Sequence, residues 1–334
     1  MTDWVLALDV GGTKLAAGLM DRAGQLTGRH ETSTLARQGG GPAVMERLMA
    51  LSRQTLTAAG FAPAAGGWQR GADRVVAVGL GTGGQVDPDS GAVIFANENI
   101  PRWTGMPARQ RLEDGLNVPA AVDNDGNCAA LAEATFGAGR GYPITLCVVV
   151  GTGIGGGLVN NGRVFRGAHG GALEVGHILV DYQGLPCVCG LRGCLEMYAS
   201  GPSILAEFLR RHGEAGVRQL LQVEPAAAST RDVVNAAGRG LLQAREVVER
   251  AARFLGIGLA SMAHVLDPSI IVIGGGMSDV WEMIYAPMSA AYAERSMPPV
   301  RHTPIVRAQL GADAVLIGAG QLAWQIAQDR GIAC

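Results

Sequence analysis

Residues 4–20, WVLALDVGGTKLAAGLM, decide the fold. Trp4 to Val10 alternates and then runs apolar, which predicts a strand, and Asp9 near its end leads into the turn Gly11-Gly12-Thr13. LAAGLM, the turn Asp21-Arg22-Ala23-Gly24 and QLTGRH then predict a second and a third strand joined as a hairpin. About 140 residues later the same grammar returns as TLCVVV, Gly151-Thr152-Gly153, GGGLV, the turn Asn160-Asn161-Gly162 and RVF. One supersecondary unit occurring twice implies two related half-molecules, each aiming a glycine turn at a common cleft.

Between and beyond these units the pattern alternates helix and strand. Pro42 to Ala59 reads as a helix, Gly60 to Ala72 as a Gly/Ala-rich loop, and VVAVGL as an apolar strand. Ser203 to Arg211 and Leu241 to Met262 carry helical periodicity, the latter with Ala244, Val248, Ala251, Leu255, Gly258 and Met262 on one stripe. Asp267-Pro268 stops it, and IIVIGGG reads as another buried strand with a glycine terminus. This grammar predicts an α/β protein. The expected division is a small N-terminal lobe of residues 1–121 and a larger lobe of residues 122–313. A helix from Ala314 to Ala327, within a C-terminal segment 314–334, is expected to return to the first lobe.

At ~100–200 residues per domain, 334 residues also favour two domains. Lys and Arg total 27 against 29 Asp and Glu, a formal net charge of -2, so no global positive field exists to hold nucleic acid or anionic lipid. No apolar run approaches the ~20 residues of a membrane span. Met1-Thr2-Asp3 leads straight into a strand pattern without a basic n-region, so the expected location is the cytoplasm. A reducing cytosol disfavours a disulfide scaffold for the six cysteines. Cys128, Cys147 and Cys334 lie in apolar or terminal stretches and read as buried or incidental thiols.

Glycine is the compositional outlier, at 50 residues, and three of its clusters end strands: DVGGTK at 9–14, GTGIGGG at 151–157 and GGG at 274–276. Such turns let backbone N–H groups approach phosphate oxygens, so their recurrence, twice with Thr, points to nucleotide phosphates. Residues 151–156 also satisfy GxGxxG, but a dinucleotide-binding loop must open a helix, and here a hairpin follows. The GxxxxGK[ST] loop is absent, which excludes a P-loop enzyme.

Two further stretches bear chemistry. Pro119 to Asp125 ends a short strand in Asp123-Asn124-Asp125 and passes into a predicted helix. An acid there either caps the helix or serves as the base that takes the proton of an attacking hydroxyl, with Asn124 holding a neighbouring hydroxyl. Glu174-Val-Gly-His177 is followed by CxCx4C, closed by Glu196. His177, Cys187, Cys189 and Cys194 form a set suited to closed tetrahedral structural Zn2+, which would fix His177 by one ring nitrogen and leave the other for a ligand. Asn99, Asn124, Asp125, Glu174, His177 and Glu196 together suit a polyhydroxylated substrate such as a sugar, although Asn99 also reads as an ordinary turn residue before Pro101.

The motifs DVGGTK, VDPDSG, VDNDGN, GTGIGGG, GRVFRGAHGGALEVGH and CxCGxxGCLE, in that order, resemble the ROK family of bacterial sugar kinases, repressors and related proteins. The resemblance implies the two-lobed actin-like ATPase fold, hexokinase-type and ribonuclease H-like. It implies Asp125 as general base and Gly84, Asn99, Asn124, Glu174, His177 and Glu196 as sugar contacts. Gly11, Gly12, Thr13, Thr152, Gly153 and Gly275 match the family's nucleotide-binding turns, with Asp9 near Mg2+ and Lys14 assisting at the phosphates, while His177, Cys187, Cys189 and Cys194 match its zinc ligands. Gln85 departs from the small or apolar residue often found after Gly84 in kinases of this type. The family's repressors carry a winged helix-turn-helix ahead of this body; with the first turn at residue 9, none is expected here. The expected activity is phosphorylation of a hexose, glucose foremost, at its 6-hydroxyl by ATP, in a homodimer or homotetramer. The alternatives are a kinase for N-acetylmannosamine or N-acetylglucosamine and a non-catalytic sugar sensor.

Overall fold

In the computed structural model, which describes residues 2–332, the opening stretch forms β1 (Asp3–Val10) and β2 (Lys14–Met20), followed by β3 (Leu26–Ser33). Then come α1 (Gly40–Ala58), β4 (Ala62–Ala64), β5 (Gly67–Arg70), β6 (Asp73–Thr82), β7 (Gln85–Val86), β8 (Val93–Phe95), α2 (Ala108–Leu116), β9 (Ala120–Asn124) and α3 (Asp125–Phe136). The repeat of the opening unit is β10 (Ile144–Val150), β11 (Ile154–Asn160) and β12 (Arg163–Val164). The remainder is α4 (Glu196–Ala199), α5 (Gly201–Gly216), α6 (Thr230–Gly238), α7 (Leu242–Leu266), β13 (Ile270–Gly274), α8 (Trp281–Arg295), β14 (Ile305–Arg307) and α9 (Ala314–Asp329). Among the described residues no helix is long and apolar enough to cross a membrane.

The chain divides into two units. The first comprises residues 1–140, 157–172 and 312–334, and the second residues 141–156 and 173–311. The first therefore extends beyond residue 121, because α3 packs on α9 and stays with it. Its sheet runs β3-β2-β1-β6-β5-β4. The long β6 takes β5 along its first residues and β9 along its last, where Val78–Thr82 pair in parallel with Ala120–Asn124. Gly60 to Ala72, expected as loop, holds the short antiparallel strands β4 and β5 at the sheet edge. Pro63 in β4 is tolerated there because an edge strand need not donate every N–H.

Helix α9 returns to this unit and lies on β1, β6 and β9. It approaches closely because the contact is lined by small residues: a Cβ at Gly79 would collide with the Ala319 carbonyl, and one at Gly318 with the carbonyl of Cys128. The exclusion of larger side chains sets the packing distance, and the burial of Leu316, Ala319 and Leu322 supplies the hydrophobic stabilisation.

The second sheet runs β12-β11-β10-β13-β14, with β10, β13 and β14 parallel and wholly within the second unit. Residues Ile270–Ile273 are fully or almost fully buried, as the apolar run requires of a strand covered on both faces. Helices α7 and α8 pack where Gly256 admits the Met288 carbonyl. Cys128 and Cys147 are buried and in no disulfide, while Cys334 lies outside the described residues.

Candidate active site

In the first unit, parallel register carries the site. Asp9 on β1 is level with Gly81 on β6, and Gly81 with Asp123 on β9, so the strand ends present their acids along one sheet edge. Beyond Asp9 the chain turns tightly, with Gly11 N–H donating to the Lys14 carbonyl at 3.0 Å. Thr34 secures the turn by donating its hydroxyl to the Gly11 carbonyl at 2.7 Å. Burial first, then the nearby Asp125 carboxylate, push the Asp9 carboxyl up to about 7, against the opposing pull of Lys14. Lys14 itself is exposed and its ammonium pairs with Glu31 on the adjacent β3 at 2.7 Å.

The cap residue of α3 is Asn124, its side-chain oxygen accepting from the N–H groups of Gly126 at 2.8 Å and Asn127 at 3.3 Å, while Asp125 Oδ1 also accepts the Gly126 N–H at 2.8 Å. Its amide nitrogen donates to the Gly84 carbonyl at 2.9 Å, which ties Gly84 to the head of the helix. Asp123 is buried and spent on structure: it accepts from the Asn124 N–H and the Asn127 side chain, each at 2.8 Å, and pairs with Arg166 at 2.7 Å. Asp125, the first residue of α3, is exposed and feels the Asp9 charge. Of three acids, the structure thus separates one buried and neutralised from two that interact electrostatically. Asn99 is exposed, donates its backbone N–H to the Asn97 side-chain oxygen at 3.1 Å, and lines an open cleft of about 420 Å³ with Gly12, Thr13, Arg37 and Gln38.

In the second unit the corresponding turn is Gly151-Thr152-Gly153, closed by a bond from Gly151 N–H to the Gly153 carbonyl at 2.9 Å. The Glu196 carboxylate, at the start of α4, accepts the Ile154 N–H at 2.8 Å and would meet a Cβ at Gly153. Gly275, after β13, has φ 79° and ψ -177°, a conformation open in practice only to glycine, and its α-carbon faces the Val150 backbone. A cavity of about 600 Å³ opens between this turn and the starts of α5 and α6. Its walls combine Thr152, Gly276 and the apolar Pro202, Val234 and Met277 with the polar Thr230, Arg231, Asn235 and Asp279. That mixture suits an aromatic base with a ribose and phosphates at the glycine-lined end. The α6 residues escaped the sequence reading, since a helix opened by the Ser229–Asp232 capping box carries no signal of a ligand.

His177 ends a short 3₁₀ turn, Val175–His177, that follows Glu174, which is exposed. The Cys187 sulfur lies 3.7 Å from His177 Nδ1, and the sulfurs of Cys189 and Cys194 are 3.6 Å apart. All four donor atoms fall within 4.8 Å of one another. A Zn–S bond of about 2.3 Å implies donor separations near 3.7 Å in a tetrahedron, so this set fits a four-coordinate metal. The Leu191 N–H beside Cys189 holds that thiol below its usual value, whereas burial pushes the Cys194 thiol up to about 12. The knot is anchored by Tyr198, which donates to Asp181 at 3.0 Å, accepts the Leu185 N–H at 2.8 Å and stacks on Phe254 of α7.

Two sheets, each carrying a strand, a glycine turn and a hairpin in the same order, define an actin-like ATPase fold of the hexokinase type. Residues 5–326 match the model of the ROK family, to which the chain belongs. It is 34% identical over 327 residues to a glucokinase of Halalkalibacterium halodurans, covering 96% of this chain and 95% of that one. Among solved structures it resembles a ROK hexokinase from Thermus thermophilus, with a TM-score of 0.77, 35% identity and coverage of 98% and 99% of the two chains. A ROK family glucokinase from Streptomyces griseus, solved in complex with glucose and AMPPNP, superposes with a TM-score of 0.79 at 32% identity, covering 96% of this chain and 99% of that chain.

Proposed function

We propose that this chain transfers the γ-phosphoryl group of ATP to the 6-hydroxyl of a hexose, with glucose as the preferred acceptor. The observation that carries the reading is the division of labour at the head of α3: Asp123 is buried and held by Arg166 and Asn127, whereas Asp125 is exposed and interacts electrostatically with Asp9. Full-length likeness to a glucokinase solved with glucose and AMPPNP supports the choice of donor and acceptor.

Asp125 accepts the hydroxyl proton as the sugar oxygen attacks the γ-phosphorus, and ADP departs. By the family likeness, Gly84, Asn99, Asn124, Glu174, His177 and Glu196 are assigned to the sugar hydroxyls. The turns at Gly11-Gly12-Thr13, Thr152-Gly153 and Gly275 hold the nucleotide, whose base and ribose occupy the cavity lined by Thr230, Arg231 and Asn235. Asp9, a buried acid beside a second carboxylate, would hold Mg2+ with the phosphates, and the cation would supply charge neutralisation. Lys14, which pairs with Glu31, is assigned to assist at the phosphates.

Zinc is assigned to His177, Cys187, Cys189 and Cys194 in a structural role. With Nδ1 turned to Cys187, His177 keeps Nε2 for a sugar hydroxyl. A homodimer or homotetramer is proposed as the working form. The experiment is a coupled ADP-release assay with Mg·ATP across glucose, mannose, N-acetylmannosamine and N-acetylglucosamine. Glucose is expected to give the highest kcat/KM. An N-acetylhexosamine ahead of it would replace the acceptor, and sugar binding without ADP release would leave a sensor.

A further inference from the structure

We infer that Arg166, through its ion pair with Asp123, is a positioning residue for Asn124 and Asp125. The inference rests on the proposed kinase reading. Arg166 lies beyond the second hairpin, in a loop closed by a bond from Ala172 N–H to the Arg166 carbonyl at 3.2 Å. Its Nε donates at 2.7 Å to one oxygen of Asp123, whose side chain is only 4% exposed. The other Asp123 oxygen accepts from the Asn124 backbone and from the Asn127 side chain.

Those two bonds clamp both sides of the helix start. Asn124, whose N–H is held by Asp123, is also the cap that satisfies the first N–H groups of α3 and the donor to the Gly84 carbonyl. Asp125 follows it directly, so the direction of its carboxylate is inherited from the peptide that Asp123 fixes. The same neighbourhood is crowded with negative charge. The buried Cys128 thiol, pushed up chiefly by burial, is pushed further by Asp123, Asp125 and Asp9, and Arg166 opposes them. Without that guanidinium, Asp123 would be a buried carboxylate without a cationic partner, and it would relieve the cost by moving toward solvent. That movement loosens the peptide that carries Asp125.

Three variants test this: Arg166→Met, Asp123→Asn/Arg166→Met and Arg166→Lys. For Arg166→Met the expected result is a fall in kcat of about 10–100-fold, with the KM values for glucose and ATP within about threefold, since a small misplacement of a reacting group acts on the chemical step. The double variant removes the buried anion yet keeps an acceptor for the Asn124 N–H, and should return kcat to within about fivefold of the unaltered protein; Arg166→Lys should recover part of it. Hydrogen exchange of peptides covering residues 124–130 is read in parallel, and should speed up in Arg166→Met and slow again in the double variant. A lowered melting temperature with unchanged kcat would make Arg166 merely structural and overturn the inference. A double variant as slow as Arg166→Met would also overturn it, since Arg166 would then act on the substrate directly. Should Arg166→Met fail to fold, the double variant and Arg166→Lys decide by the same kcat and exchange criteria. Should the unaltered protein phosphorylate no hexose, the kinase reading fails and the exchange rates alone decide whether Arg166 orders the helix start.

Discussion

Replacing Asp9 with asparagine should stabilise the protein, and increasingly so as pH rises. Burial and Asp125 move the Asp9 carboxyl from an ordinary 3.8 to about 7. The folded state therefore holds a proton that the unfolded state has released, and stability falls as pH climbs from about 4 to about 7, then levels. At 1.36 kcal/mol per unit the whole shift corresponds to roughly 4 kcal/mol, of which about 2–3 kcal/mol falls between pH 5 and pH 8. Asparagine has no proton to lose, so the stability difference between Asp9→Asn and the unaltered protein should widen by that amount over the same window. Carboxylates held low, such as Glu207 paired first of all with Arg210, contribute at lower pH and cancel between the two proteins. Urea unfolding at pH 5, 6, 7 and 8 reads the difference directly. Millimolar Mg2+ at pH 8 should raise the midpoint of the unaltered protein more than that of the variant. A difference that stays constant with pH to within about 0.5 kcal/mol would refute the reasoning, because Asp9 would then be titrating as a solvated acid.

The close approach of α9 gives a second expectation: Gly79→Val should lower stability by roughly 3 kcal/mol or more in urea unfolding, since its side chain must displace the Ala319 carbonyl, while Gly155→Ala, with open space at its Cβ, should change it by less than about 0.5 kcal/mol. Protein purified without chelator should carry one zinc per chain, lose it in Cys189→Ser, and melt about 10 °C lower after metal removal; metal analysis finding no zinc would remove the knot from the scheme.

The two hairpin units were legible in the sequence because their signals are local: period-2 apolar runs that end in glycine turns. The donor set His177, Cys187, Cys189 and Cys194 was legible for the same reason, since one short loop supplies all four. Strands β4 and β5 were hidden because Ala62 and Pro63 are exposed and short of any apolar alternation; their pairing is imposed by β6 from outside. The choice of Asn124 as cap, and the separation of Asp123 from Asp125, depended on Arg166, a partner 43 residues away that no local pattern marks. Thr230, Arg231 and Asn235 were likewise invisible, because a cavity wall built from the first two turns of a helix needs no special residue spacing.

The most direct test of phosphoryl transfer through the carboxylate at the head of α3 is turnover by Asp125→Asn, measured beside its glucose affinity. Loss of a general base is worth about 10²–10⁴-fold, so kcat should fall by at least about 100-fold while the glucose Kd stays within several-fold. A variant that turns over at near the unaltered rate, with glucose bound as before, would show that Asp125 is not the base.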